Sequence, residues 1–303
     1  MLPKLALPPL NIEQVIQPFT ETEVYDWGLR DVHIPLIHRQ TLGEDIKIAV
    51  IDSGQCEHFE TQHAFYKAKN FSSSPTVLDK IGHSTFLSGI LAAKKDGIGI
   101  VGVAPKAKLY YAKAIDDNSQ GDPSALVNAI KWCISEEVDI ITISAGMFYD
   151  FKPLGEVVGE AYKQNIIITA AVGNTGNRHF DVAYPARYPE VIGVGAYDQK
   201  HKVAPFSSRG IHVKFVMPGV NIFSTWLDNQ YVRASGSSFS CPMLTGICAL
   251  ILANHRKRKD AKTPCNTPDE MIEHLKKYSI KLDNDPYAAG FGTVDLRNMM
   301  RIN

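Results

Sequence analysis

The sequence predicts an α/β protein on a doubly wound, mainly parallel β-sheet with helices on both faces. Three observations carry that expectation. Short runs rich in Ile and Val recur along the chain. They are almost continuously apolar rather than alternating, as strands covered on both faces are. Helix-forming segments lie between most of them, so the order is β-α-β repetition. The strands are expected at 46–52 (IKIAVID), 108–115 (KLYYAKAI), 139–146 (DIITISAG), 165–173 (NIIITAAVG) and 191–198 (VIGVGAYD). A helix is expected over 122–137, with Asp122 as N-cap and Pro123 at the first helical position. An amphipathic helix follows over 153–164. Another over 267–278 is opened by Thr267 and Glu270, a capping box. The segment ICALILAN (247–254) reads as a buried helix, although the stretch leading into it, GSSFSCPMLTG (236–246), is mostly small or helix-breaking residues. The basic run HRKRK (255–259) reads as the solvated exit of that helix.

Composition bounds the function. With 303 residues, 45% of them hydrophobic, the chain can bury a large core. The expected organisation is a short extension over residues 1–24 followed by one domain over 25–303. Lys and Arg balance Asp and Glu at 32 each, which gives no pointer to nucleic acid or to an acidic membrane. No run approaches the roughly 18 apolar residues of a membrane span. The opening MLPKLALPPL holds three prolines and a single lysine, so it makes a poor signal peptide. Five cysteines, odd in number and without CxxC spacing, indicate neither a disulfide framework nor a zinc site. A reducing, cytoplasmic setting is therefore expected.

In such a sheet, ligands and chemistry gather at the carboxyl ends of the strands. Asp52 ends the first strand in IDSG, and His83 opens the helical stretch GHSTFLSGILAA. Asn174 follows a strand in TAAVGNTGN, and Ser238 stands at the mouth of the apolar helix. Singly these read as a cap, a structural histidine, a turn residue and a small packing residue. Jointly they supply the parts of activated-serine chemistry, in which Asp orients His, His deprotonates Ser, and Ser attacks a carbonyl. The Asn174 amide is a donor suited to the oxyanion, and the helix after Ser238 adds backbone N–H groups and a positive dipole end.

The blocks AVIDSG, GHSTFLSGI, AAVGNTG and GSSFSCPMLTG resemble those of the subtilisin-like serine proteases, the subtilase family. The chain order Asp, His, Ser is that of subtilisin itself. Softer matches extend the resemblance over roughly residues 45 to 255. Around the nucleophile the chain departs from the family's usual Gly-Thr-Ser-Met-Ala and reads Gly236-Ser237-Ser238-Phe239-Ser240; Gly236 and Pro242 set the register that selects Ser238. Ser84 and Met243 also stand where Gly and His are common.

The resemblance implies a serine endopeptidase acting on polypeptides through an acyl-enzyme. It also implies that Ser144-Ala145-Gly146 pair with extended substrate as an added strand. Ala171, Val172, Gly173 and Ala183 would wall the pocket for the side chain before the cut. With Ala183 where Gly is common, and Thr175 bringing no charge, uncharged side chains of medium size are expected there. Calcium at the loop AAKKDGIGIVG is implied too, with Glu60 and Asp96 as ligands beside Lys94 and Lys95. The short N-terminal extension resembles that of intracellular subtilisins, in which the segment lies across the cleft and a proline resists cleavage. Residues 1 to about 20 would then be a removable or autoinhibitory segment. Two other functions compete: a dedicated protease that processes leader peptides or precursors, and a noncatalytic peptide-binding module. Cys56 and Cys241 flank the site and are expected to be buried packing residues rather than nucleophiles.

Overall fold

The structure, a computed structural model, describes residues 4–7, 11–16, 22–177, 182–258 and 265–297. Seven strands form the central sheet. In chain order they are β3 (Lys47–Asp52), β4 (Phe65–Asn70), β5 (Lys108–Lys113), β7 (Ile140–Ile143), β8 (Ile167–Ala171), β9 (Ile192–Tyr197) and β10 (Phe215–Pro218). They lie in the order β10-β9-β8-β7-β3-β5-β4, and every neighbouring pair is parallel. From β3 the chain goes to the edge strand β4 and back to β5, then crosses β3 to β7 and winds outward the other way through β8, β9 and β10. The carboxyl end of β3, where Asp52 sits, is therefore the topological switch point.

The continuous apolarity of the strands has a direct cause. Successive residues of β3 feed two different cores: Ile48 and Val50 join one, Ala49 and Ile51 the other. The first core holds the helices α3 (His83–Ala92) and α6 (Ser237–Lys257), and the second holds α4 (Pro123–Ser135) and α5 (Lys152–Lys163). Two short helices, α1 (Trp27–Asp31) and α2 (Ile34–Ile37), precede β3, and α7 (Pro268–Lys277) closes the first core.

The expected caps are present. Asp122 accepts the Ser124 N–H at 2.7 Å, and Thr267 and Glu270 form the reciprocal capping box. The 139–146 segment is shorter as a strand than expected: β7 ends at Ile143, and Ser144–Gly146 leave the parallel ladder to face the site. α6 is 21 residues long with a mean hydropathy of 1.4 over its most apolar window, enough by length and composition to cross a membrane. Of that window 94% is buried within the fold, as befits a central core helix. Its basic exit is solvated and paired, with Lys257 on Glu44 at 2.7 Å and Arg256 on Asp139.

The N-terminal extension lies on the domain surface at two places. β1 (Leu5–Ala6) runs antiparallel to β6 (Gln120–Gly121). β2 (Asn11–Ile16) joins β11 (Ile222–Thr225) and β12 (Tyr231–Ser235) in the order β11-β12-β2. Pro8, Pro9 and Leu10, the prolines of the expected cleavage-resistant stretch among them, lie outside the described residues.

Candidate active site

Asp52 is the last residue of β3, and the chain turns at once. Gly54 holds φ at +134°, and a Cβ there would meet the Val77 carbonyl oxygen at 2.4 Å, so only glycine passes. His83 is the first residue of α3, and Asp79 caps that helix from the preceding loop. Asp79 Oδ1 accepts the N–H groups of Ile81 and Gly82 at 3.1 and 2.9 Å. Its Oδ2 accepts the N–H and hydroxyl of Thr85 at 2.8 and 2.7 Å. This buried carboxylate holds the helix start, and with it the His83 backbone.

His83 Nδ1 lies 2.8 Å from Asp52 Oδ1, and both side chains are fully buried. A carboxylate only accepts, so Nδ1 carries the proton and Nε2 is the basic nitrogen. Nε2 is buried and has no hydrogen-bond partner. Asp52 Oδ1 also accepts the Ser53 N–H at 2.8 Å. The Ser53 hydroxyl lies 3.0 Å from Asp52 Oδ1 and 2.9 Å from Asp79 Oδ1, and it accepts the Ser84 N–H at 3.0 Å. Beside Asp52 on β5 stands Lys113, itself fully buried. Its Nζ donates to the carbonyls of Ser53 and Leu78 at 2.6 and 2.8 Å and to Asp117 Oδ1 at 2.7 Å. Lys113 thereby ties together the loop after β3, the loop before α3 and the loop leading to β6.

Ser238 lies in the first turn of α6, where backbone N–H groups have no intrahelical acceptor. Four residues on, Pro242 lacks the N–H that would bond the Ser238 carbonyl. The Ser144 hydroxyl fills that role, donating to the Ser238 carbonyl at 2.9 Å, while the Ser238 hydroxyl donates back to the Ser144 carbonyl at 3.2 Å. In this arrangement the Ser238 hydroxyl is engaged away from His83. Asn174 is anchored through its amide oxygen, which accepts the N–H and the hydroxyl of Ser237 at 3.0 and 2.8 Å. Its Nδ2 is left as donor, and it would lie 3.3 Å from a Cβ placed on Gly236, so glycine keeps the space before it open. Phe239 packs tilted against Phe86, with ring centroids 4.2 Å apart, and backs the His83 ring at 5.9 Å between centroids.

The predicted substrate residues surround the same point. Gly146 exchanges backbone hydrogen bonds with Ala6 at 3.2 and 3.3 Å. The Ala183 N–H donates to the Val172 carbonyl at 2.9 Å. The Ala183 methyl sits 2.8 Å from a Cβ placed on Gly146 and 3.6 Å from one on Gly173, so these three positions pack together just past Ala171, the last residue of β8. Thr175 bonds Ser208 at 2.8 Å. Phe148, half exposed, reaches within 3.6 Å of the Gly173 position.

Phe148, Ser53, Asp79 and Lys113 were not singled out from sequence. A lysine inside the apolar run KLYYAKAI was the available signal, since a buried lysine demands partners.

Each of the two expected metal ligands has a protein partner. Asp96 pairs with Lys94 at 2.6 Å. Glu60 is fully buried, and its Oε1 accepts the Tyr231 hydroxyl at 2.6 Å and the Ile100 N–H at 3.1 Å. Burial raises its carboxyl above the usual range while those two donors pull it down. Only Oε2 is buried without a partner. No group of three or more His, Cys, Asp or Glu side chains that could hold a metal occurs among the described residues. These contacts engage Glu60 Oε1 and Asp96 Oδ2. Cys56 and Cys241 are buried, and burial pushes both thiols up, which leaves no thiolate beside the serine.

A serine, a histidine with its basic nitrogen unpaired, an orienting carboxylate and an amide donor at a helix start are equipped for acyl transfer. The subtilase family model matches residues 43–292. The chain is 38% identical over 258 residues to the minor extracellular protease Epr of Bacillus subtilis (strain 168), across 84% of this chain and 39% of that protein. It is 35% identical over 237 residues to a thermostable alkaline protease of Halalkalibacterium halodurans, across 78% and 65%. With subtilisin E of Bacillus subtilis it shares 36% over 269 residues, across 86% and 68%. The chain belongs to the subtilase family, and it spans between 39% and 68% of the length of these relatives.

Proposed function

We propose that the protein is a serine endopeptidase with Ser238 as nucleophile, His83 as general base and acid, Asp52 as the orienting carboxylate and Asn174 as oxyanion donor. The observation that carries this is the 2.8 Å Asp52–His83 contact, which leaves Nε2 buried and unpartnered. The Ser238 hydroxyl swings from the Ser144 carbonyl to His83 Nε2, which takes its proton as the oxygen attacks the peptide carbonyl. The resulting oxyanion is met by Asn174 Nδ2 and the Ser238 N–H. Nε2 then protonates the leaving amine, and water, deprotonated by the same nitrogen, releases the acyl group and restores the serine. The side-chain pocket between Gly146, Gly173 and Ala183 suits uncharged residues, and a peptide library cut mainly after Arg or Lys would contradict that.

Residues 1–24 act as an autoinhibitory extension to a domain over 25–303. The support is its position: the Ala6–Gly146 pairing takes the hydrogen bonds that an extended substrate needs, and Leu5 is completely buried behind it. The chain lacking residues 1–20 is expected to cleave a quenched peptide with kcat/KM at least about tenfold above full length, since the loss of a few backbone bonds of about 1 kcal/mol each amounts to that. Equal values would refute autoinhibition. Five free, buried cysteines suit a reducing compartment, and we place the protein in the cytoplasm.

No step runs through a metal. With Asp96 held by Lys94 and Glu60 by Tyr231, the melting temperature is expected to be the same with and without a chelator. A fall of several degrees with EDTA, reversed by calcium, would contradict this.

A further inference from the structure

Lys113 is completely buried, and the reaction as proposed makes no use of it. It stands on β5 directly opposite Asp52 in the parallel register. An ammonium has three protons to donate, and each has an acceptor: the Ser53 carbonyl at 2.6 Å, the Leu78 carbonyl at 2.8 Å and Asp117 Oδ1 at 2.7 Å. With every proton committed, the group is neither a free donor to a ligand nor an acid in the chemistry.

Two of the acceptors lie where the histidine and its carboxylate are anchored. The Ser53 carbonyl is one residue past Asp52, and the Ser53 hydroxyl lies 3.0 Å from Asp52 and 2.9 Å from Asp79. The Leu78 carbonyl belongs to the peptide unit that enters Asp79, the carboxylate that caps the helix of His83. The third acceptor, Asp117, sits in the turn from Asp116 to Gln120, which is closed by the Asp116 N–H on the Gln120 carbonyl at 2.7 Å and leads directly into β6. One cation is thus bonded both to the loop behind Asp52 and to the loop before His83, and the 2.8 Å Asp52–His83 contact spans those two loops. Burying an ion pair adds little net stability, so stability alone is a poor account of this lysine.

We propose that Lys113 is a positioning residue for the reaction. It clamps the two loops so that Asp52 and His83 stay at the hydrogen-bond distance on which transfer of the Ser238 proton depends, and Asp117 holds the ammonium in place. The effect on rate rests on the peptidase reading, whereas the effect on the Asp52–His83 hydrogen bond does not. Misplacement by about 1 Å in such a constellation costs on the order of 10²-fold in rate.

The test compares the full-length chain with its Lys113→Met and Asp117→Ala variants. Two quantities are read: kcat and KM on a quenched polypeptide, and the far-downfield proton NMR signal of the His83 Nδ1–H in the resting protein. Lys113→Met is expected to lower kcat by about tenfold to a hundredfold with KM held within about twofold, and to shift or broaden the Nδ1–H signal. Asp117 is partly exposed, so its removal leaves a folded chain. Asp117→Ala is expected to move both readouts in the same direction by less, with kcat down about threefold or more, and it decides the matter should Lys113→Met fail to fold. A signal that stays in place, whether or not kcat falls, or a drop in melting temperature alone, overturns the positioning role. A wild-type chain that cleaves no polypeptide overturns the peptidase reading instead, and the NMR comparison still stands without it.

Discussion

Ser238→Ala is expected to lower kcat on a quenched polypeptide by about 10⁶, the size of the loss subtilisin itself suffers when its serine is removed. That corresponds to about 8 kcal/mol of lost transition-state stabilisation. The fold should survive, because the Ser144 hydroxyl still bonds the carbonyl of residue 238 and deleting one hydroxyl costs about 1 kcal/mol. The melting temperature, measured on the same preparation, separates lost chemistry from lost structure. Activity retained within tenfold would mean that another of the serines in this stretch, Ser235, Ser237 or Ser240, carries the reaction.

Asn174→Ala is expected to lower kcat by about 10² to 10³ with little change in KM, again the scale known from the oxyanion amide of subtilisin. The reasoning lies in the anchoring of its side chain. Ser237 holds the amide oxygen with two hydrogen bonds, so Nδ2 is pre-aimed and costs no reorganisation when charge develops. A donor that acts only on the developing oxyanion changes kcat, whereas one that binds the ground state changes KM. A variant whose KM rises while kcat holds would assign Asn174 to substrate binding instead.

Much of the sheet was legible because burial on both faces leaves a mark that no surface strand carries: runs such as IKIAVID and NIIITAAVG have no polar face. β1 and β2 left no such mark. They are two and six residues long, lie near prolines, and take their order from partners more than a hundred residues away. The four residues at element ends were legible for a related reason: Asp, His, Asn and Ser placed where a strand stops or a helix starts are affordable only at caps or at chemistry. The network behind them was not, since Ser53, Asp79 and Lys113 meet only when three distant loops converge. Of the two residues expected at calcium, Glu60 accepts from Ile100 and Tyr231 and Asp96 pairs with Lys94, contacts between segments that the sequence leaves far apart.

The central claim is the assignment of the nucleophile, and intact mass spectrometry tests it most directly. The chain lacking residues 1–20 and its Ser238→Ala variant are each treated with a fluorophosphonate, and any adduct is mapped. One adduct on Ser238, absent from the variant, is expected. A folded protein that takes no adduct, or takes it on another residue, would contradict it.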